Sequence, residues 1–173
     1  RYIGMSNETP YGLSRYIELS KSKNLPRMMS VQNPYSLVNR IYEIGMSEIS
    51  IREKCGLLAY YPLASGALSG KYRNNQMPKN TRLTLFKGWE RHLNPLAQKA
   101  YDEYYKLSKE YNITMVQLAH AFVNSRPFIT SNIIGATTMD QLKENIGSIS
   151  IKITKEMMEK IDLIHNNNPN PSP

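Results

Sequence analysis

The sequence has only one cysteine, Cys55, among its 173 residues. A single thiol cannot form an internal disulfide, so the fold does not depend on a disulfide framework. Because Cys55 precedes a predicted buried strand, we interpret it as a packed small side chain rather than a nucleophile. No apolar run approaches the roughly 20 residues needed to span a bilayer. We therefore expect no membrane contact and a cytoplasmic location.

Negative charge is also scarce, with 14 Asp and Glu against 22 Lys and Arg and a formal net charge of +8. An excess of positive charge raises the question of nucleic-acid binding. The basic residues are scattered over 15–27 and 71–87, however, and form neither a basic helix nor a platform of stacking aromatic side chains. We predict no nucleic-acid partner, and a phosphorylated small ligand would account for part of the second group.

Short apolar stretches alternate with helical patterns along the chain. Predicted helices start at capping residues or at the first residue of a helical period: Thr9, Asn39, Asn94, Thr114, Thr138 and Thr154, the second of them interrupted by Gly45. Predicted strands lie at 2–5, 28–32, 56–61 and 131–135. Alternation of this kind predicts parallel strands joined by right-handed crossovers.

Two stretches show no clear periodicity. Residues 62–93 are predicted to form a long loop, which in compact domains is commonly a lid or a binding segment. Residues 165–173 contain three prolines among asparagines and predict a loose tail. An open doubly wound sheet would accommodate four strand–helix units, but no Gly-x-Gly-x-x-Gly turn follows a strand, which argues against a Rossmann-type site.

A loop of small and hydroxylated residues follows the third predicted strand. Pro62 lacks a backbone donor and ends strand pairing. Residues 65–70 include two serines and two glycines, whose N–H and hydroxyl groups can surround an anion, with Lys71 as the point charge. The residues predict a phosphate site, and an ordinary Gly/Ser loop stays open as the alternative.

Polar residues end all four predicted strands: Ser6 and Asn7, Gln32, Tyr60, and the turn 135–138. The carboxyl ends of parallel strands meet on one side, where β/α barrels bind ligands. We therefore expect these residues to lie close together.

The helix predicted at 138–147 has a polar face formed by Gln141, Glu144 and Asn145, opposite an apolar face formed by Met139, Leu142 and Ile146. We expect the polar face to be free for a ligand. A merely solvated helix surface is the alternative that this pattern leaves open.

The segments 60–72 and 134–146 resemble the aldo-keto reductase family, in the subgroup that includes the Tas-type reductases and the potassium-channel β subunits. The resemblance covers essentially the whole chain. It implies an α/β fold made of strands five to eight of an eight-stranded β/α barrel of the TIM type. It also implies that residues 1–173 are the C-terminal half of that barrel, with the N-terminal half absent, and that the intact protein reduces aldehydes or ketones to alcohols with NADPH.

The resemblance assigns cofactor contacts along the strand ends. Residues at the first two strand ends would hold the nicotinamide carboxamide, Tyr60 would stack on the nicotinamide ring, the following loop would contact the phosphates, and the last turn and helix would contact the adenosine. The implied cofactor-binding residues are Ser6, Asn7, Gln32, Tyr60, Tyr61, Pro62, Leu63, Ser65, Lys71, Arg82, Gly135, Thr137, Gln141, Glu144 and Asn145.

The resemblance favours NADP over NAD. Many family members hold the 2′-phosphate with a Lys after the last strand and an Arg in the next helix, where this sequence has Gly135 and Gln141. In the subgroup, an Arg in the long loop compensates, and Arg82 is the matching residue. Its guanidinium fork suits a phosphate monoester.

The family's catalytic Asp, Tyr, Lys and His motifs are not found in this sequence. His92, His120 and His165 are interpreted as structural or surface residues, since none has a paired acid and a tyrosine at recognisable spacing. We expect no catalytic residue, no metal site and no reductase activity from the chain alone.

The expected partners are a small carbonyl substrate, held by walls around Trp89 and residues 164–173, and the missing half-barrel. Self-association could cover the open edges of the sheet instead. Two alternatives to an enzyme stay open: an NADP-sensing regulatory subunit similar to channel β subunits, and an inactive fragment.

Overall fold

The computed structural model describes residues 1–86, 88 and 90–173. A four-stranded sheet runs in the order β1-β2-β3-β4, and each neighbouring pair is parallel. The α/β alternation and the parallel strands predicted from the sequence are confirmed. The strands are β1 (Ile3–Ser6), β2 (Met28–Pro34), β3 (Gly56–Tyr60) and β4 (Ile129–Asn132). The fourth strand ends earlier than predicted, so the following turn begins at residue 133.

Helices connect the strands and flank the sheet: α1 (Pro10–Ser22), α2 (Met46–Arg52), α3 (Arg82–Leu85), α4 (Pro95–Glu110), α5 (Met115–Asn124), α6 (Met139–Gly147) and α7 (Lys155–Asn167). The side chains of Thr9, Asn94, Thr114 and Thr154 each accept a hydrogen bond from a first-turn N–H, as predicted. Within the described residues, no helix is long and apolar enough to cross a bilayer.

One helix start differs from prediction, and a second keeps its capping residue but has a shifted contact. The helix expected over 39–54 is a 3₁₀ turn at Ile41–Glu43 followed by α2, because Gly45 adopts a φ of 86° that a helix cannot continue through. Thr138 does cap α6, but Gln141 Oε1 accepts from the N–H of Thr137 at 2.9 Å. The side chain of Gln141 thus reaches back one residue further than in a standard capping box.

The core lies on the helical side of the sheet. Val31, Leu57 and Ala59 are fully buried in one cluster with Leu118 and Phe122 of α5. Cys55 is buried in the same cluster, as predicted. Two tyrosines of α4, Tyr101 and Tyr104, are buried in this cluster as well.

The opposite side of the sheet carries very small side chains at one level. A Cβ on Gly4 would lie 2.6 Å from Ser30 Oγ, and a Cβ on Gly56 would lie 1.9 Å from Thr130 Oγ1. A side chain at either position would therefore require Ser30 or Thr130 to move, which favours glycine there. β1 and β4 each have one strand neighbour among the described residues, so the predicted open edges are present there.

The long loop contains short helical turns at Ala64–Ser69, Arg73–Asn75 and Glu90–Leu93, besides α3. The sequence predicted no periodicity there, and none of these elements is long enough to show one. Lys87 and Trp89, the latter expected in a substrate wall, lie outside the described residues.

The C-terminal tail is not loose, and that prediction is wrong. Ser172 N donates to the carbonyl of Val38 at 3.2 Å, and Asn170 Oδ1 accepts from Arg40 N at 2.7 Å. Composition predicted a solvated tail, but its polar groups bond to the backbone of the segment after β2. The tail therefore closes over residues 38–40.

A buried ion-pair network supports that same segment. Arg40 binds Glu43 at 2.8 Å and Asp162 of α7 at 2.7 Å, and Tyr35 donates its hydroxyl to Glu43. Burial alone would raise the pKa of Glu43, but hydrogen bonds from Arg40 and Tyr35 and the charge of Arg126 lower it overall. The carboxylate is thus ionised and fixed by three side chains.

Arg40→Met is expected to lower the free energy of unfolding by about 3 kcal/mol, because it leaves the partly buried Glu43 carboxylate without its main partner. Arg52→Met is the matched control: the Arg52 and Glu48 side chains are 74% and 64% exposed, so its loss should cost about 0.5 kcal/mol or less. Urea denaturation of both variants measures the difference. Equal losses would contradict the role assigned to Arg40.

Candidate cofactor site

The ends of the first three strands are joined by hydrogen bonds. Ser6 Oγ and Asn7 N both donate to the carbonyl of Gln32, at 3.0 and 2.9 Å. Tyr60 donates its hydroxyl to Asn7 Oδ1 at 2.6 Å. Asn7 has a φ of 54°, in the left-handed region that asparagine tolerates. The structure therefore brings together the four residues that the resemblance assigned to the nicotinamide.

A further pair, missed from the sequence, holds the loop after β1. Asn33 Nδ2 donates to the carbonyl of Glu8 at 3.0 Å, and Asn33 Oδ1 accepts from Glu8 N at 3.1 Å. This reciprocal pair fixes the backbone next to Asn7. A single asparagine at a strand end carries no sequence signal of such a contact, since its partner lies 25 residues away.

Tyr60 is fixed at both its ring and its hydroxyl. Its ring meets Tyr61 edge-to-face, with centroids 4.7 Å apart and planes at 74°. Burial and the neighbouring Tyr61 raise the pKa of Tyr60, partly offset by the charge of Arg91. The hydroxyl therefore stays protonated at neutral pH and can act as the donor to Asn7.

The loop after β3 folds back on itself through left-handed residues. Ala64, Ser65, Gly66 and Gly70 have φ values of 46°, 58°, 94° and 81°. The carbonyl of Leu63 accepts from two later N–H groups of this loop, at 2.8 and 3.1 Å. The N–H groups of Ala64, Gly66, Leu68 and Gly70 are all used within the loop in this way, so a ligand would meet the side chains of the loop rather than these four amides.

Ser65 and Lys71 provide the polar groups of this loop. Ser65 is 8% exposed, and its Oγ is buried without a hydrogen-bond partner among the described residues. A buried hydroxyl left unpaired costs about 1–3 kcal/mol, which a ligand with acceptor oxygens would offset. Lys71 Nζ lies 3.0 Å from the position of a Cβ on Gly66, so the ammonium is folded over the loop backbone. The donor set fits a pyrophosphate.

The remaining loop residues have simpler placements. Pro62 is buried directly after β3, and Leu63 is half-buried. Arg82 is the first residue of α3 and is exposed to solvent, behind the capping residue Thr81.

The turn after β4 is held to the start of α6. Gln141 Oε1 accepts from the N–H and the hydroxyl of Thr137, at 2.9 and 3.1 Å. Gly135 has no atom within 4 Å of its Cβ position, so its surroundings are open. Gly135 and Thr137 are exposed, and they remain accessible for the phosphate contact that the resemblance implies.

The expectation that the polar face of α6 is free is wrong, because all three of its residues are engaged; Gln141 Oε1 is already occupied by Thr137. Glu144 Oε1 accepts from Thr114 Oγ1 at 2.6 Å, and Asn145, 5% exposed, contacts His120 Nε2 at 3.2 Å. His120 lies in the neighbouring α5 and Thr114 caps that helix. These contacts could not be matched to α6 from the sequence.

The expected apolar face of α6 also differs. The sequence pattern put Met139 and Ile146 on the apolar face of the helix, but in the structure they are 64% and 57% exposed. The cofactor roles of Glu144 and Asn145 stay predictions.

The histidines occupy structural positions. His92 is buried and its Nδ1 lies 2.5 Å from Ser172 Oγ; burial and the nearby Arg91 lower the pKa of His92 to about 4. His120 is buried inside α5, as predicted, and His165 is half-buried. Among the residues that the structure describes, no group of three His, Cys, Asp or Glu side chains could hold a metal ion.

Comparison with known proteins identifies the family of the chain. A profile described as the Aldo/keto reductase family matches residues 1–166. Protein tas of Escherichia coli (strain K12) is 42% identical, over 100% of this chain and 50% of that protein. An aldo-keto reductase of Babesia bovis is 37% identical, over 95% of this chain and 61% of that protein. A putative voltage-gated potassium channel subunit beta of Schizosaccharomyces pombe is 28% identical, over 97% of this chain and 51% of that protein.

The chain spans about half the length of the curated relatives it matches. Four parallel strands with flanking helices, in a chain of half that length, are consistent with half of an eight-stranded β/α barrel. The profile match extends over all four strand ends that form the candidate site. The chain therefore belongs to the aldo/keto reductase family.

Proposed function

We propose that the protein containing this chain is an NADPH-dependent oxidoreductase that reduces aldehydes or ketones to alcohols in the cytoplasm, and that this chain supplies the cofactor site. The observation that carries the proposal is the loop after β3, where the unpartnered Ser65 hydroxyl and the folded Lys71 ammonium lie in a left-handed backbone turn. Membership of the aldo/keto reductase family supports the redox chemistry.

In this proposal, the first two strand ends bind the carboxamide of the nicotinamide. A primary amide needs both donors and acceptors, which Ser6, Asn7 and Gln32 provide. Tyr60 gives an aromatic surface for stacking, held in place by its hydrogen bond to Asn7 at 2.6 Å. The protein thus holds the nicotinamide end of the site in place before the cofactor binds. These existing contacts help to set the orientation of the nicotinamide ring.

The phosphates bind the loop and the turn. Lys71 and the Ser65 hydroxyl serve the pyrophosphate, together with the backbone of Pro62 and Leu63. The turn at Gly135–Thr137 leads into the N-terminus of α6, where the helix dipole favours an anion. Arg82 serves the 2′-phosphate that distinguishes NADP from NAD, since its guanidinium can bind a phosphate monoester bidentately.

Bound NADPH would supply the hydride that is added to the substrate's carbonyl carbon. The residues of this chain bind and orient the cofactor, and the developing alkoxide needs a proton from elsewhere. We place that donor, a tyrosine, in a part of the protein beyond this chain, which also supplies the strands that cover the edges of β1 and β4. His92 and His120 are each already engaged by a polar side chain, Ser172 and Asn145.

A regulatory subunit is the second candidate. It is favoured by the 28% identity to a putative voltage-gated potassium channel subunit beta. In such a protein, cofactor binding would control a partner, and turnover would be incidental. Steady-state turnover with a reactive aldehyde, compared with capture of a purified channel protein by the same preparation, distinguishes the two.

Tyr60→Ala in the intact protein is expected to weaken NADPH binding at least about tenfold, because both the stacking ring and the support of Asn7 are lost. Tyr60→Phe keeps the ring and should retain more affinity. Fluorescence titration with NADPH measures both, and Tyr16→Ala on α1 is the control for loss of an exposed tyrosine. Binding within about twofold of the unchanged protein would remove Tyr60 from the site.

Arg82→Ala and Lys71→Ala are expected to differ in selectivity. Loss of Arg82 should weaken NADPH much more than NADH, since only NADPH carries the 2′-phosphate, whereas loss of Lys71 should weaken both. Dissociation constants for the two cofactors give the ratio, with Lys79→Ala as a control for charge in the same loop. If Arg82→Ala reduced both affinities equally, its assignment to the 2′-phosphate would be wrong.

A further inference from the structure

A series of hydrogen-bonded polar side chains, with His120 and Asn145 buried at its centre, connects α5 to the turn after β4. Asn145 Nδ2 donates to the carbonyl of Gly135 at 3.1 Å, and Asn145 Oδ1 lies 3.2 Å from His120 Nε2. On its other side, His120 Nδ1 lies 3.2 Å from Asn132 Nδ2, which also donates to Asn124 Oδ1 at 3.0 Å. His120 is 1% exposed and is surrounded by the apolar residues of α5.

The carbonyl of Gly135 determines which ring nitrogen of His120 carries the proton. A carbonyl only accepts, so the Asn145 amide must direct its NH₂ to Gly135 and its Oδ1 to His120. His120 Nε2 must then carry a proton and donate to that Oδ1. In a neutral imidazole, Nδ1 is consequently an acceptor, and the NH₂ of Asn132 meets this need.

The neutral state of His120 agrees with its surroundings. Burial lowers the pKa of His120, although its contact with Asn145 and the charge of Glu144 act in the opposite direction. The net direction is downward, so the imidazole is uncharged at neutral pH. Each ring nitrogen of His120 then has a partner of the required type, while Asn132 Oδ1 is buried without a partner among the described residues.

The carbonyl of Gly135 belongs to the turn on which the adenosine end of the proposed site depends. The turn is held at three points: Ile133 N donates to the carbonyl of Ala59 at 2.8 Å, Asn145 holds Gly135, and Gln141 Oε1 holds Thr137 N at 2.9 Å. The first contact is made to β3, and the third is made to the first turn of α6. The middle contact alone is set by α5, through His120.

We propose that His120 is a positioning residue for the cofactor site, which as its Nε2–H tautomer orients the Asn145 amide and thereby fixes the turn from Gly135 to Thr137 for the adenosine phosphate. The proposal rests on the proposed NADPH-binding function and assigns to it a residue that touches no cofactor. Without the imidazole donor, Asn145 has no fixed partner for Oδ1, and its amide can rotate away from Gly135.

The tautomer is tested first, in the intact protein without any ligand. Imidazole ¹⁵N chemical shifts of His120, assigned by comparison with His120→Gln, are expected to show a protonated Nε2 and an unprotonated Nδ1 at neutral pH. An Nδ1–H tautomer or a charged ring would overturn the proposal. This readout does not depend on cofactor binding, so it separates failure of the inference from failure of the proposed function.

The second test compares NADPH binding in His120→Leu, His120→Gln and the unchanged protein. His120→Leu removes the donor and is expected to raise the dissociation constant and the KM for NADPH about tenfold, the size of effect that one unpaired buried acceptor can produce. The kcat at saturating NADPH should change less than about twofold, because the nicotinamide end is untouched. His120→Gln restores an N–H donor and should recover most of the affinity.

Ser108→Ala is the control for loss of a buried hydrogen bond elsewhere, since Ser108 is fully buried in α4 and donates to the carbonyl of Tyr105. It should lower the thermal midpoint without raising the KM for NADPH. Unchanged NADPH affinity in a folded His120→Leu protein, or equal losses in the Leu and Gln variants, would overturn the proposal. If the unchanged protein did not bind NADPH, the proposed function itself would fail.

Discussion

Parallel pairing of the four strands is the constraint on which the rest of the structure depends. It places the carboxyl ends of all four strands at the same end of the sheet. Residues far apart in sequence, such as Asn7 and Tyr60, therefore come within hydrogen-bonding distance. An antiparallel arrangement would send alternate ends to opposite sides. The sheet therefore has two separate functions. Its helix-covered face forms the hydrophobic core, and the ends of its strands carry the polar side chains of the candidate site.

Strand ends alone do not position a ligand, because each is followed by a turn with polar backbone groups. Hydrogen bonds from neighbouring elements fix these turns. Asn33 of β2 holds the backbone at Glu8, and Asn145 of α6 holds the carbonyl of Gly135. In both cases an amide side chain supplies the contact, which suits a backbone that has both N–H and carbonyl groups to satisfy. The loop after β3 differs, since Ser65 Oγ has no such partner among the described residues.

Local signals predicted most of the fold. Capping residues such as Thr9 and Thr114 predict helix starts, because their side chains accept hydrogen bonds from N–H groups only three residues later. The tail and α6 could not be predicted in the same way. The contacts of Asn170 with Arg40 and of Asn145 with His120 join segments that are 130 and 25 residues apart. The sequence pattern placed Asn170 in a loose tail and Asn145 on a helix face free for a ligand. The cofactor assignments came from the family resemblance, and the structure supplied the hydrogen bonds that connect Ser6, Asn7, Gln32 and Tyr60 to one another.

The central claim is that the loop after β3 is built for a phosphate ligand, and Ser65→Ala tests it most directly. Removing a buried hydroxyl that has no partner within the described chain should not lower the thermal midpoint of the intact protein. The same change should weaken NADPH binding by about fivefold or more, since the ligand loses a hydroxyl contact. Lower stability with unchanged NADPH affinity would contradict the account, because Ser65 would then serve the fold and not the ligand.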